Sequence, residues 1–262
     1  MDILFIGDIV GESALQHLAS RLPSMRRECQ ADVVIANAEN CAVTAPNPYQ
    51  GYGMRVDLIE RLFASGVDIV TSGNHAWDGP EMQMVHRHPM VLRPLNVPDG
   101  WPGRGMLEID LAGQPLRVLV LASKTALMPD ALPPLPAYQT ARRIGATTLV
   151  EFHGDNVTEK ASFAFAVDGQ VAAVLGTHTH EPTSILHVLP QGTVFVAEVG
   201  MTGHLGGIQG ADHDFFVRLL REQDPSTLPP FKIASGPIMV SALHLRAEAG
   251  RAPQVRRLEQ PR

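Results

Sequence analysis

Cysteine is almost absent from this chain: Cys29 and Cys41 stand alone, without Cys-x-x-Cys spacing or a neighbouring histidine. That excludes a disulfide framework, and both are expected to be plain reduced thiols. Lysine is nearly as scarce. Only Lys124, Lys160 and Lys232 occur among 21 basic residues, and the arginines pair at Arg26–Arg27, Arg142–Arg143 and Arg256–Arg257 without forming a stripe. Charged residues make up 18% of the chain, below the roughly 25% of an average globular protein, and 27 acids outnumber the 21 bases for a net charge of -6. A nucleic-acid coat protein or duplex binder is therefore not expected. No apolar run approaches the ~18 residues of a membrane span. The opening MDILFIGDIVGE places an acid at position 2 and has no basic n-region, unlike a secretory signal, so a cytoplasmic protein without membrane contact is expected.

What is present is length and apolar content. With 262 residues, 45% of them hydrophobic, the chain can bury a large core and needs no metal or disulfide simply to fold. It shows no linker, internal repeat or low-complexity tract, and one domain over 1–262 is the economical expectation.

Polar residues gather where apolar runs stop. Met1 to Ile6 reads as a buried strand that delivers Gly7-Asp8 to a loop. A helical stretch from Ser13 to Glu28, broken or restarted at Pro23, leads to Asp32 to Ala36 and the polar stop Asn37-Ala-Glu-Asn40. Helical spacing at Leu58, Ile59, Leu62 and Phe63 precedes a strand from Val67 to Thr71, which ends in Gly73-Asn74-His75. Thr147 to Phe152 ends at His153; after a helix from Thr158 to Val167, Gln170 to Leu175 ends at Gly176-Thr-His-Thr-His180. Gly105 to Leu111 and Leu116 to Ala122 flank Gly113-Gln114 as in a hairpin, which predicts antiparallel strands as well. Pro129 to Pro136 reads as a loop and Thr44 to Gly53 as an insertion rich in Pro, Gly and Tyr. The last third predicts a strand at Thr193 to Val199, a Gly-rich loop from Gly200 to Gly210, a helix from Asp212 to Arg221, and strands near Pro237 to Leu245 and Gln254 to Leu258. The expected class is α/β, with helices packed outside mixed sheets.

Five strand ends thus carry metal-competent side chains: Asp8, Glu39-Asn40, Asn74-His75, His153, and His178 with His180. Ligand crevices in α/β sheets lie outside the carboxyl ends of the strands, so groups far apart in sequence can converge there. In extended backbone, His178 and His180 project to the same side. Small neighbours (Gly7, Ala38, Gly73, Gly154, Gly176) allow close backbone approach. Carboxylates, imidazoles and carboxamides in this number exceed one tetrahedral zinc site and suit two ions of Mn, Fe or Zn, with Glu39 or Asp8 able to bridge them.

The ordered blocks GDIVG, NAEN, GNHAWD, EFHGDNVTEKA, GTHTH and VGMTG resemble those of the calcineurin-like metallophosphoesterases, and in detail the YmdB-type branch of bacterial phosphodiesterases acting on cyclic nucleotides. The likeness runs from Met1 through FKIASGPIMV. It implies a four-layer α/β/β/α sandwich with mixed β-sheets. Position by position, it implies that Asp8, Glu39, Asn40 and His180 hold one metal, and that Glu39, as the bridge, holds the other with Asn74, His153 and His178. His75 is implied as the general acid that protonates the departing alkoxide, and a hydroxide bridging the metals as the nucleophile. The ions implied are Fe or Mn, with Zn as a further choice; the substrate is a small cyclic nucleotide, 2′,3′-cyclic monophosphates first; a homodimer or homotetramer is expected.

The chain departs from the pattern in places. Val10 stands where the superfamily usually has a histidine, with Asn40 as its substitute, and Glu39 replaces the usual Asp. Glu151, Gly154-Asp-Asn156 and the insertion from Val43 to Gln50 also differ, the last directly after two implied ligands. Among the other histidines, His86 and His88 are expected as surface caps at a helix end, and His187 and His244 as ordinary edge or core residues. His204 and His213 flank the Gly-rich loop and are expected as ordinary loop histidines, with contact to a substrate phosphate as the alternative. Trp77 and Tyr52 are candidates either for stacking on a base or for core packing. Two other functions fit less of the pattern: a mononuclear zinc amidohydrolase, with one metal per chain, and a nucleotide-sensing regulator with feeble turnover.

Overall fold

The computed structural model describes residues 1–43, 52–221, 224, 228, 230–248 and 251–258. Most of the insertion from Val43 to Gln50 lies outside the described residues, as does the first part of Thr44 to Gly53.

The first sheet is built from β1 (Asp2–Ile6), β3 (Val33–Asn37), β4 (Ile69–Thr71), β13 (Ala242–Arg246) and β14 (Gln254–Arg257), in the order β14-β13-β1-β3-β4. β1, β3 and β4 run parallel; β13 and β14 are antiparallel additions at one side. The second sheet holds β5 (Met106–Leu111), β6 (Gln114–Ala122), β7 (Thr147–His153), β8 (Ala173–Thr177), β9 (His187–Val188) and β10 (Val194–Val196), in the order β5-β6-β7-β8-β10-β9. Here β6, β7, β8 and β10 are parallel, and the β5–β6 hairpin turns through Ala112 and Gly113, both at positive φ. A small third sheet joins β2 (Asp8–Ile9), β11 (Met201–His204) and β12 (Ile238–Val240).

Strand alternation decides the layering. In β1, Ile3 and Phe5 join a core with Val33, Ile35, Leu116, Val118, Val120, Leu149 and Leu175, which lies between the two large sheets. Their neighbours Leu4 and Ile6 face the other way, onto Leu15, Leu18 and Leu22 of α1 (Glu12–Cys29) and Leu58 and Leu62 of α2 (Val56–Ser65). In the second sheet Leu119, Leu121, Val150 and Phe152 face outward onto Tyr138 of α4 (Pro134–Ala141) and Phe163 of α5 (Val157–Ala166). Helix, sheet, sheet, helix is the four-layer sandwich that the resemblance implied. No helix among the described residues is long and apolar enough to cross a membrane.

Three local expectations change. α1 runs unbroken through Pro23, because the proline faces solvent while Leu22, Met25 and Cys29 stay packed, and the lost hydrogen bond lies on the wet side. The Pro129 to Pro136 stretch is a loop only as far as Pro133, since prolines are tolerated in the first turn of α4. The Gly-rich region from Gly200 to Gly210 contains β11, which pairs in parallel with β2 and antiparallel with β12.

Candidate metal centre and active site

The parallel strands of both large sheets end on the same side of the sandwich, and their last residues stand in register: Asn37 beside Thr71, and His153 beside Thr177. Loops leaving β1, β3, β4, β7 and β8 therefore meet. Close approach depends on two glycines. A Cβ on Gly73 would fall 2.2 Å from the His153 ring, and one on Gly176 would fall 2.0 Å from the Ala197 carbonyl oxygen.

Three donor atoms converge on His153 Nε2: Asn74 Oδ1 at 2.8 Å, His178 Nδ1 at 3.0 Å and Glu39 Oε1 at 3.0 Å. Proton positions follow from the outer partners. The Thr177 hydroxyl donates to Glu151 Oε1 (2.9 Å), so it can only accept from His153 Nδ1 (2.9 Å), which puts the imidazole proton on Nδ1 and a lone pair on Nε2. His178 Nε2 faces Asp155 Oδ1 at 3.1 Å, which leaves Nδ1 as the inward lone pair. His180 Nδ1 donates to the Gln209 carbonyl (2.9 Å), leaving its Nε2 beside Asn40 Nδ2 at 3.1 Å. Each ring is thus oriented by an outer acceptor, as metal-bound histidines are.

A cluster of lone pairs facing one another needs a cation. Asp8 Oδ1, Glu39 Oε1 and Asn40 Oδ1 are buried and have no well-formed hydrogen bond. Asp8, Glu39, Glu151 and Glu198 are all buried, and the buried Lys160 pairs with Glu198. Burial first, then the carboxylates of Glu198, Glu39 and Glu151, push the Asp8 pKa well above its ordinary value. Burial also opposes the Glu39 charge, but positive charge on the facing rings of His153, His75 and His178, whenever they are protonated, outweighs it and holds that carboxyl below the ordinary range. Burial holds His153 below its usual pKa and lowers His180 to about 4, so both rings are neutral and able to coordinate at neutral pH. The donor set fits metal ions, carboxylate and carboxamide oxygens with imidazole nitrogens and no thiolate.

Backbone strain is concentrated in the same loop. His178 has φ 98° and His180 φ 66°, left-handed values for residues with side chains, and such positions cost about 1–3 kcal/mol each. The surrounding hydrogen bonds hold them there, including His178 N to Asp8 Oδ2 (3.3 Å) and Gln209 Nε2 to the Thr179 carbonyl (3.1 Å).

A family model described as "YmdB-like protein" matches residues 4–258. The chain belongs to the YmdB-like family. It is 32% identical over 247 residues to a Bacillus subtilis protein named 2′,3′-cyclic-nucleotide 2′-phosphodiesterase, spanning 93% of this chain and 90% of that one. Among solved structures, a hypothetical protein from Thermus thermophilus matches with TM-score 0.85 and 35% identity, over 98% of this chain and 99% of that one. A Mycoplasma pneumoniae protein described as a novel phosphatase matches with TM-score 0.88 and 25% identity, over 98% and 93% of the two chains.

In this YmdB-like chain four of the ligand candidates, Glu39, Asn40, His178 and His180, line a cavity of about 220 Å³ that His75 also lines. His75 Nδ1 lies 2.7 Å from Asp78 Oδ2, and Tyr52 packs edge-on against the His75 ring at 5.0 Å. Leu127 and Phe216 add apolar wall. All eight residues singled out from sequence therefore gather at one side of the fold, although only Glu39, His153 and His178 form a tight three-residue cluster of metal-competent groups among the described residues. The remaining candidates sit elsewhere or do ordinary work. His86 is buried, not a surface cap, because its Nε2 donates to the Ala76 carbonyl (2.6 Å) beneath α3 (Met82–Val85). His88 stacks on Phe63, His187 lies on the edge strand β9, and His244 pairs with Asp2. His204 bonds Ser13 and the Gly236 carbonyl, while His213 is exposed beside Asp214. Trp77 packs edge-on against Trp101 and donates to the Pro102 carbonyl. Both cysteines are free and buried, and burial pushes the Cys41 thiol up to about 12.

Sequence reasoning missed the outer partners Thr177, Asp155, Asp78 and Gln209. The first three lie within three positions of a ligand or acid candidate, which is the signal that could have found them. Gln209 had none.

Proposed function

We propose that this chain is a metal-dependent phosphodiesterase that hydrolyses small cyclic nucleotides, 2′,3′-cyclic monophosphates first among them. The observation that carries the reading is the convergence of Asn74, His178 and Glu39 on the lone pair of His153 Nε2, with Glu39 and His178 lining the same cavity as His75, which Asp78 orients. The name of the Bacillus subtilis relative supports the substrate class and directs the proposed cleavage to the 2′ ester.

Asp8, Glu39, Asn40 and His180 would hold one ion, and Glu39, Asn74, His153 and His178 the other. Bound ions of this kind supply Lewis acidity, activating water and neutralising phosphoryl oxygens. Fe or Mn suits the mixed oxygen and nitrogen set, with Zn as a further choice. His75 does the proton work. Asp78 holds its Nδ1–H, which directs the other ring nitrogen to the task of protonating the departing ribose oxygen, and compensates the charge of the doubly protonated ring. Tyr52 fixes the ring plane. Leu127 and Phe216 offer the base an apolar surface without base-edge hydrogen bonds, which favours broad base tolerance.

The test is direct. Protein loaded with Mn²⁺ or Fe²⁺ is incubated with 2′,3′-cyclic AMP, and products are separated by chromatography, with and without chelator. Formation of 3′-AMP that stops on chelation is expected. No turnover of any 2′,3′-cyclic nucleotide with fully loaded protein would overturn the reading.

A further inference from the structure

Lys160 projects from α5 into the interior and is fully buried. Its ammonium has three donors, and three acceptors meet it: the Thr177 carbonyl at 2.8 Å, the Ala197 carbonyl at 3.0 Å and Glu198 Oε2 at 3.1 Å. Glu198 is buried too, and both its oxygens are engaged. Oε2 also accepts from Thr179 N (3.0 Å) and Thr179 Oγ1 (2.8 Å), and Oε1 accepts from Gly200 N (3.1 Å). Thr179 is the one residue between His178 and His180, the two histidines held at positive φ. The pair therefore grips the loop on both sides of His178, at the Thr177 carbonyl before it and at the Thr179 amide after it, and the second grip is the residue that leads into His180.

We propose that the Lys160–Glu198 ion pair is the positioning device of the metal centre, holding His178 and His180 in the strained backbone that aims their rings inward. Neither residue touches a candidate metal donor atom through a hydrogen bond of its own side chain, so their hydrogen bonds act through the loop, beside the charge that Glu198 exerts on Asp8. A buried ion pair is weak evidence for stability, because desolvation offsets much of the attraction, and its best-attested use is to specify one arrangement. Here the alternative arrangement is the relaxed one, with the histidines returned to ordinary φ and their rings turned away. This inference rests on the reading that His178 and His180 hold metal.

The test compares Lys160→Met, which keeps the aliphatic stem, Glu198→Gln and Thr179→Val with the unaltered protein. Each is stripped of metal, and its Mn²⁺ affinity is measured by competition with a metallochromic chelator well below its melting midpoint. Lys160→Met and Glu198→Gln are expected to lose about 10–100-fold in affinity, the usual cost of outer partners at a metal site. Thr179→Val, which removes one hydrogen bond and keeps the amide, is expected to lose roughly 2–10-fold. A purely structural pair would lower the melting midpoint and leave affinity unchanged in the folded variants, which overturns the inference. Should the first two variants fail to fold, Thr179→Val decides by the same criterion. Failure of the underlying reading looks different: the unaltered protein would bind no Mn²⁺, or Glu39→Ala would bind it equally well.

Discussion

His153 Nδ1 and the Thr177 hydroxyl lie 2.9 Å apart, and the hydroxyl's own proton is committed to Glu151. The ring therefore presents a lone pair at Nε2 whatever binds there. Thr177→Val keeps the volume and deletes the relay, so the tautomer is no longer dictated. Metal affinity should fall about 10–100-fold, while Thr177→Ser should restore it. Chelator competition measures both, and an unchanged affinity for Thr177→Val removes the relay from any role at the metal.

The bridging assignment of Glu39 makes a stronger demand. As a bridge Glu39 would serve two ions, so Glu39→Ala should leave little metal by elemental analysis, whereas His178→Ala should spare an ion that Asp8, Asn40 and His180 would hold. Both variants should stay soluble, because the three large core clusters do not depend on the site. Full occupancy by two metals in Glu39→Ala excludes it as the bridge. In the unaltered protein, free metal at a hundred times its Kd should stabilise the fold by about 2.7 kcal/mol over the chelated form, read as a rise in melting temperature.

His75 is expected to be a proton donor and not a ligand. His75→Ala should keep its metals and lose about 10²–10⁴-fold in kcat toward 2′,3′-cyclic nucleotides. It should be much less impaired toward bis(p-nitrophenyl) phosphate, whose nitrophenolate leaves without protonation. Asp78→Asn should give the same pattern more weakly. Equal losses on both substrates with metals intact would sink the general-acid assignment.

At the far end of the first sheet, Asp2 Oδ1 accepts from His244 Nε2 (2.6 Å) and Arg246 Nε (2.9 Å), tying β1 to β13. Burial raises the Asp2 pKa, but the hydrogen bonds and charges of Arg246 and His244 outweigh burial and lower it from 3.8. A carboxyl depressed in the folded state contributes stability above its unfolded value and loses it as pH falls through the folded value. Asp2→Asn should therefore cost about 1–2 kcal/mol at pH 6–7, and the gap should close below pH 3.8. Urea unfolding at several pH values checks this; a gap that stays constant into acid would show that the charge contributes nothing.

The order of the elements was legible from the sequence because a buried strand and the polar residue that ends it leave a local record. Each of Asp8, Glu39-Asn40, Asn74-His75, His153 and His178 with His180 directly follows or closes an apolar run, and parallel strands ending on one side bring such positions together. The layering was legible in the same way, through the alternation that sends Ile3 and Phe5 to one face and Leu4 and Ile6 to the other. Only the tertiary structure decided what each imidazole does, because its proton is set by a partner from another part of the chain: Thr177 for His153, Asp155 for His178, the Gln209 carbonyl for His180. The same holds for the grip of Lys160 on Glu198 across 38 positions. A lysine on a helix and a glutamate after a strand read as ordinary surface charge until the fold removes water from both, and then each must find its counter-charge within the core.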